Sequence, residues 1–324
     1  MWVTGSYDVA TNQVLWGTGN PVPMFDPYYR PGDNLYTNSL ISWNPDSGKM
    51  NWYHQYTPGD MWDYDAAGTH ILMDGQVAGQ ARKLVTHSGR NGFLYAFDRA
   101  NGQTLLAKPY VEAVNWTKGI DQKTGLPVDY DPKRDIQVYS GKQNQTLAEP
   151  TKKLCPSMAG GNNYWPPAYS PKTRLMYIPS WSVCSEVTLD QESIAKGIFF
   201  SQKFRSSERN ESEMVMADPT TGEIKKKAHV AYPNVAGTLA TAGGLVFTGL
   251  SDGSFIAYDD TTLDQVWKMN VGTGFNAPPM TFEAGGKQYV AILSGISAIT
   301  KTKHVLTPEL REMRNQTMLF VFGL

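Results

Sequence analysis

The chain has 324 residues, 29 Lys and Arg against 30 Asp and Glu for a formal net charge of -1, and 41% hydrophobic residues that include 9 Trp, 17 Tyr and 12 Phe. That length carries one large repeat fold or two ordinary domains, and the aromatic content excludes a disordered chain. The balanced charge excludes a nucleic-acid partner, which needs a basic surplus or a dense basic patch, and no apolar run approaches the roughly 20 residues of a transmembrane helix.

In chain order, the first residues, MWVTGSYDVATNQVLWGTG, lack the charged start and apolar stretch of a signal peptide. Taken literally, that places the chain in the cytoplasm unless it begins inside a longer protein. Strand-like runs separated by turn residues then dominate. One unit recurs: an apolar pair, an aromatic residue or Ala, an Asp, a few turn residues and a second strand. It occurs over Leu40 to Trp52, Phe93 to Leu106, Met214 to Lys226 and Phe255 to Trp267. Each reads as a hairpin in which Asp accepts hydrogen bonds from turn amides and Gly takes positive φ.

A second unit, Tyr7 to Gly19, is echoed by Tyr169 to Trp181, and Gly243 to Gly253 reads as an inner strand entering a turn. Ala107 to Lys153 is polar and reads as a long surface excursion (about 107-153). Thr188 to Phe204 and Pro308 to Met313 are the plausible helical pieces. Lys225 to Lys227 reads as a solvated strand edge. The hairpin aspartates Asp218 and Asp259 stand 41 residues apart. Four-stranded repeats at roughly 40 to 50 residues mean a β-propeller, here of about four to five blades. A Pro/Gly-rich sandwich is the structural alternative, and the regular Asp-x-x-x-Gly turns favour the propeller.

Chemistry concentrates in TPGDMWDYD, Thr57 to Asp65. If the segment is extended, Asp63 and Asp65 share a face about 7 Å apart along the strand. Like charges so close repel unless a cation or proton lies between them. Alone, the stretch also reads as a solvated acidic turn. The two cysteines, Cys155 and Cys184, exclude a Cys-x-x-Cys-His haem attachment and leave open reduced thiols or one disulfide.

Together with TPGDMWDYD, the segments MWVTGSYD, GTGNPVPMFDP, RPGDN, SGRNGFLYAFDR and CPSMAGGNNYWPPAYSP resemble the quinoprotein alcohol dehydrogenases of the methanol/ethanol type, whose cofactor is pyrroloquinoline quinone (PQQ). The resemblance runs from Trp2 to Leu324. It implies an all-β, eight-bladed β-propeller of which this chain, 1-324, holds a C-terminal part as one partial domain. It also implies oxidation of a primary alcohol to an aldehyde, with electrons passing to a soluble cytochrome c.

By the same resemblance Trp2 stacks on the quinone, and Arg90 and Asn163 hydrogen-bond it. Asn20 and Asp63 hold the metal, and Asp63 also serves as catalytic base. Asp65 is an added carboxylate of the kind that marks lanthanide-binding members, calcium being the alternative ion. Cys155 and Cys184 occupy the positions of a family disulfide, which points to the periplasm and to a signal peptide upstream of this fragment. Tyr164 and Trp165 are read as pocket wall, Met24 and Phe25 as hints of pocket shape, and Asp33 as holding a loop. His54, His70 and His87 lack metal-ligand spacing and read as surface or turn residues. An upstream glutamate ligand and an adjacent-cysteine ring of the family are not in this sequence, so the fragment is expected to be inactive by itself. A homodimer is left open. The rival reading is a non-catalytic propeller scaffold of the kind found in outer-membrane assembly factors, which needs the hairpins but not Asn20, Asp63, Asp65 or Arg90.

Overall fold

The computed structural model describes residues 3–140, 151–187, 212–296, 307–313 and 316–323. Trp2 and the helical piece expected over Thr188 to Phe204 lie outside these residues. The other expected helix is a single 3-10 turn, Pro308–Leu310. Among the described residues no helix is long and apolar enough to cross a membrane.

Strands β1 (Ser6–Asp8), β2 (Gln13–Gly17), β3 (Ser39–Trp43) and β4 (Met50–Gln55) form one antiparallel sheet in that order. β5 (Ile71–Val77), β6 (Gln80–Ser88), β7 (Phe93–Asp98) and β8 (Thr104–Pro109) form the next. β9 (Thr151–Leu154) pairs with β12 (Ser185–Val187) in a short ribbon. Between them in sequence, β10 (Ala168–Ser170) and β11 (Leu175–Trp181) join β13 (Ser212–Ala217) and β14 (Ile224–Val230) in a third four-stranded sheet. β15 (Thr238–Ala240), β16 (Leu245–Gly249), β17 (Ser254–Asp259) and β18 (Gln265–Asn270) make a fourth, and β19 (Met280–Ala284), β20 (Lys287–Leu293) and β21 (Leu319–Gly323) a three-stranded one.

The recurring hairpins of the sequence are β3–β4, β7–β8, β13–β14 and β17–β18, and they share a defect. Each ladder shifts register near the turn end of its first strand, at Ser42/Trp43, Ala96/Phe97, Met216/Ala217 and Ala257/Tyr258. Such a bulge sharpens the local twist. Asp98 and Asp259 accept turn amides through Oδ1, whereas in the first hairpin Asn44 does this for Asp46 and Ser47.

The chain divides into two compact units, one of Met1–Tyr164, Ser182–Ser207 and Pro219–Gly222, the other of Trp165–Trp181, Glu208–Asp218 and Glu223–Leu324. In the second unit successive residues of β16 and β17 face opposite ways. Val246, Ile256 and Tyr258 enter one apolar cluster, and Phe247, Phe255 and Ala257 enter another. The three-stranded sheet sends Val290, Ile292, Phe320 and Phe322 into the latter cluster and leaves Met280, Phe282, Leu319 and Val321 exposed.

The core of the first unit is aromatic, built from Tyr56, Trp62, Tyr64, Tyr95, Phe97, Trp116 and Tyr139 around Leu15, Leu40 and Val85. Trp116 and Tyr139 come from the polar stretch after β8; among its described residues these two are buried while Glu112, Lys118, Lys123, Lys133, Arg134 and Asp135 are exposed. Trp116 Nε1 donates to the Asn91 carbonyl at 2.8 Å and Tyr139 Oη to that of Pro58 at 2.8 Å. Tyr130 Oη donates to Asp33 Oδ2 at 2.5 Å, so Asp33 does hold a loop.

The histidines overturn their expectation: His54, His70 and His87 are all buried in this core. His54 and His87 sit at inward-facing positions of β4 and β6, and His70 closes the loop that follows the acidic stretch. A neutral imidazole packs there as a flat ring. His70 and His87 stack with centroids 4.2 Å apart, and Tyr56 Oη lies 3.0 Å from His70 Nε2.

Candidate active site

TPGDMWDYD is not a strand. Pro58 and Gly59 turn the chain, and the Asp60 carboxylate then accepts the Trp62 amide at 3.1 Å and the Tyr64 amide at 3.0 Å. Asp60 is therefore a local scaffold. It is fully buried, and burial raises its pKa against the opposing pull of Asn38 and Arg30. Arg30 donates to the Asp60 carbonyl, to Pro23 O and Met24 O at 2.7 Å, and to Asn34 Oδ1 at 2.6 Å. This brace went unread in the sequence, although Arg30 opens the RPGDN segment quoted above.

With the loop pinned, Asp63 adopts a left-handed φ of 65°. The alternation of an extended strand is thus lost, yet the carboxylates of Asp63 and Asp65 still converge, because both meet one cation. Arg90 occupies the four-residue turn between β6 and β7, closed by the Gly92 amide on Gly89 O at 3.0 Å. Its Nη1 lies 3.2 Å from Asp63 Oδ2 and 2.6 Å from Asp65 Oδ2, and donates as well to the Asp63 carbonyl. The other Asp65 oxygen, Oδ1, accepts the backbone N–H of Asn20 at 2.6 Å. Asn20, Asp63, Asp65 and Arg90, which lie far apart in sequence, are thereby brought together.

All three charged groups are buried. Burial pushes the Asp65 carboxyl up, and the Arg90 charge pulls the other way. For Arg90 burial acts downward, but Asp63 and Asp65 outweigh it and hold the guanidinium above its ordinary value. With both carboxylates ionised, two anions would face one guanidinium, a buried surplus that a further cation or a proton on Asp65 offsets.

Residues Cys155 to Asn163 cover Arg90. The Gly161 amide donates to the Arg90 carbonyl at 3.1 Å. Gly160, at φ +72°, lies so close that an added Cβ would stand 2.1 Å from Arg90 Cγ and 2.5 Å from its carbonyl oxygen. The Gly-Gly pair ahead of Asn162 was the signal for this contact. Asn163 is buried; its Oδ1 accepts the Tyr164 amide at 2.8 Å, and its carbonyl oxygen would stand 2.7 Å from a Cβ built on Gly68, close behind Asp65. Tyr64 Oη donates to Pro156 O at 2.5 Å and so ties the acidic loop to this segment.

Cys155 and Cys184 form a disulfide across a sequence separation of 29, next to the β9–β12 ribbon. This settles the alternative the sequence left open. In the chain-entropy account, a closed loop of that length is worth about 3 to 4 kcal/mol. Urea unfolding with reductant, or of Cys155→Ser, is expected to show a loss of that order. An unchanged midpoint would mean that the loop is held by its other contacts alone.

A family model described as "PQQ: Glucose/ethanol/alcohol dehydrogenase, beta-propeller domain" matches residues 1–113 and 207–290, more than half of the chain. The chain belongs to this family. A quinoprotein ethanol dehydrogenase of Pseudomonas putida is 35% identical over 310 residues, which take in 91% of this chain and 48% of that protein. A lanthanide-dependent methanol dehydrogenase of Methylorubrum extorquens is 35% identical over 301 residues, 91% of this chain and 50% of the relative. The solved structure of a europium-containing methanol dehydrogenase aligns with a TM-score of 0.86 at 29% identity, covering 100% of this chain and 59% of that one. The chain spans about half the length of the curated relatives it matches. Its four-stranded sheets are blades of a quinoprotein β-propeller, present in part.

The residues present fit the group a quinoprotein needs. Among the described residues Arg90 Nε is buried and has no hydrogen-bond partner. Such an orphaned donor calls for an acceptor, and a quinone oxygen is one. The oxygens of Asp63 and Asp65 fit a hard cation, whereas Asn20 meets Asp65 here through its backbone N–H, which is a donor. The set is partial, however: no group of three or more His, Cys, Asp or Glu able to hold a metal occurs among the described residues.

Proposed function

We propose that the chain contributes the cation-facing and quinone-facing residues of a PQQ-dependent alcohol dehydrogenase that oxidises a primary alcohol to an aldehyde. The observation that carries this is the convergence of the Asp63 and Asp65 carboxylates with Arg90, next to Asn20. When bound, the quinone supplies the hydride acceptor and the cation the Lewis acid that polarises it.

The rest falls to this chain's side chains. Asp63 takes the proton of the substrate hydroxyl as the carbonyl forms. Arg90 would offer its Nε donor and its positive charge to the cofactor. Asn20, Asp63 and Asp65 would hold the cation, and Asn163 and Trp2 would hold the cofactor. A trivalent lanthanide gains more from the additional carboxylate of Asp65 than calcium does, which favours it as the ion. Electrons leave to a soluble cytochrome c, and the disulfide suits the periplasm.

The test uses the protein at its natural length, loaded with PQQ and lanthanum. Asp63→Asn is expected to keep the quinone absorbance and lower kcat by roughly 10²- to 10⁴-fold. A wild type that binds no quinone would instead support a scaffold.

A further inference from the structure

We infer that the second unit carries a binding cleft for a small organic anion, whose carboxylate or phosphate-monoester head is held by Arg174, Lys225 and Lys226 above an apolar floor of Leu175 and Met216. The cleft has a volume of about 550 Å³ and lies beside β14, between the β10–β11 and β17–β18 turns. Small-molecule sites run from roughly 300 to 1,000 Å³. All the lining residues belong to the second unit, whereas Asp63, Asp65 and Arg90 belong to the first.

Arg174 stands where the chain favours another residue type. In three of the sheets the first two strands are joined by a turn, residues 9–12, 171–174 and 241–244. The last residue of each is left-handed: Asn12 at φ 51°, Arg174 at 60° and Gly244 at 84°. Gly and Asn adopt that conformation readily, while a long side chain is strained in it. Arginine therefore costs stability at this place, and what it adds is an exposed guanidinium on the cleft. Among the described residues no carboxylate lies within ion-pair distance of it.

The lysines come from β14. Alternation along a strand would send Lys225 and Lys226 to opposite faces. The register shift here pairs Lys226 with Met216 and Ile224 with Ala217, which leaves Lys225 without a partner across the ladder, and both lysines line the cleft. A bulge re-aims side chains in this way. Lys225 now meets Glu223 and Lys226 meets Asp264, each at 2.6 Å, but these pairs are exposed, hold little, and can yield to another anion. Among the described residues Asp218 is the one carboxylate of the lining. Three converging cations favour an anion, and the guanidinium fork matches the edge of a carboxylate or phosphate. Met216 belongs to the apolar cluster of this unit and Leu175 packs against it, so a ligand with an apolar chain gains by covering them.

The natural-length protein, free of unbound metal ion, is titrated calorimetrically with hexanoate, acetate, hexyl phosphate and hexylammonium. Hexanoate is expected to bind, and hexylammonium is not. Acetate lacks the chain that covers Leu175 and Met216 and should bind at least roughly tenfold more weakly. Arg174→Gly is expected to weaken hexanoate roughly tenfold or more, yet to melt no lower than wild type, because glycine takes the turn without strain. Arg174→Asn, with the residue of the first sheet's turn, repeats the measurement should glycine loosen the loop. Asn12→Gly should leave hexanoate binding unchanged. Hexyl phosphate fixes the head group: binding tighter than hexanoate assigns the cleft to phosphate monoesters, and weaker binding assigns it to carboxylates. The inference is overturned if wild type binds neither anion, if both Arg174 variants bind hexanoate as wild type does, or if acetate or hexylammonium binds as tightly as hexanoate.

Discussion

Lowering the pH from 7 to about 4.5 is expected to remove several kcal/mol of stability from the first unit. The cause is the buried histidine group. Burial pushes His54 and His87 down to about 4. His70 is held well below its ordinary value, by burial first and by its stacked neighbour His87 second. An unfolded chain takes up these protons near pH 6.5, and the folded one does not until about pH 4. The stability they confer is thus complete above pH 6.5 and is lost as the pH falls toward 4. At 1.36 kcal/mol per pH unit this amounts to about 3 kcal/mol for each of His54 and His87, against a typical total of about 5 to 15 kcal/mol.

Asp60 and Asp65 act in the opposite direction. Their folded pKa values are raised, chiefly by burial, so acid relieves the cost of their burial and offsets part of the histidine loss. Urea unfolding at pH 7, 6 and 5, followed by tryptophan fluorescence, checks the slope. A flat profile over that range would show that the imidazoles take up protons in place. His87→Gln is expected to remove a share of the slope, because it deletes one titrating ring and the pairing with His70.

The histidines also mark the limit of what the sequence conveyed. The hairpins were legible because their information is local: Asp98 and Gly102, or Asp259 with Thr261 and Thr262, specify a turn within a few residues. The three-stranded sheet was less so, since β21 pairs with β20 across a long intervening stretch. His54 and His87 gave no comparable sign, for a polar ring on a strand reads the same whether its face is solvated or packed. Burial there is decided by residues distant in sequence, Tyr95 and Phe97 meeting His54 and Tyr56 meeting His87.

The acidic site divides in the same way. The residue types of Asp63, Asp65, Asn20 and Arg90 could be picked out by motif. The expected route to their convergence, an extended strand, did not hold, because Asp60 turns the loop and Asp63 goes left-handed. Arg30, Tyr64 and Gly160 do their work through backbone atoms of distant residues, and such contacts leave almost no compositional trace.

Gly160→Ala is expected to be among the most damaging single substitutions in the protein, and Gly79→Ala is its control. Both glycines have positive φ, +72° and +78°, so each alanine incurs the left-handed penalty of about 1 to 2 kcal/mol. At Gly79, in the β5–β6 turn, a Cβ meets nothing within 4 Å. At Gly160 it would stand 2.1 Å from Arg90 Cγ, 2.5 Å from Arg90 O and 2.9 Å from Arg90 Cα. Two of those atoms are backbone, and they belong to the tight turn between β6 and β7, which has little room to give. Either the Cys155 to Asn163 segment lifts or the turn shifts, and each breaks the Gly161–Arg90 hydrogen bond and loosens a buried ion pair. Gly160→Ala should therefore cost at least about 2 to 3 kcal/mol more than Gly79→Ala in urea unfolding, and should also alter cation binding, which Gly79→Ala should leave alone. Equal losses for the two would mean that the segment yields freely and that Arg90 is not held by its cover.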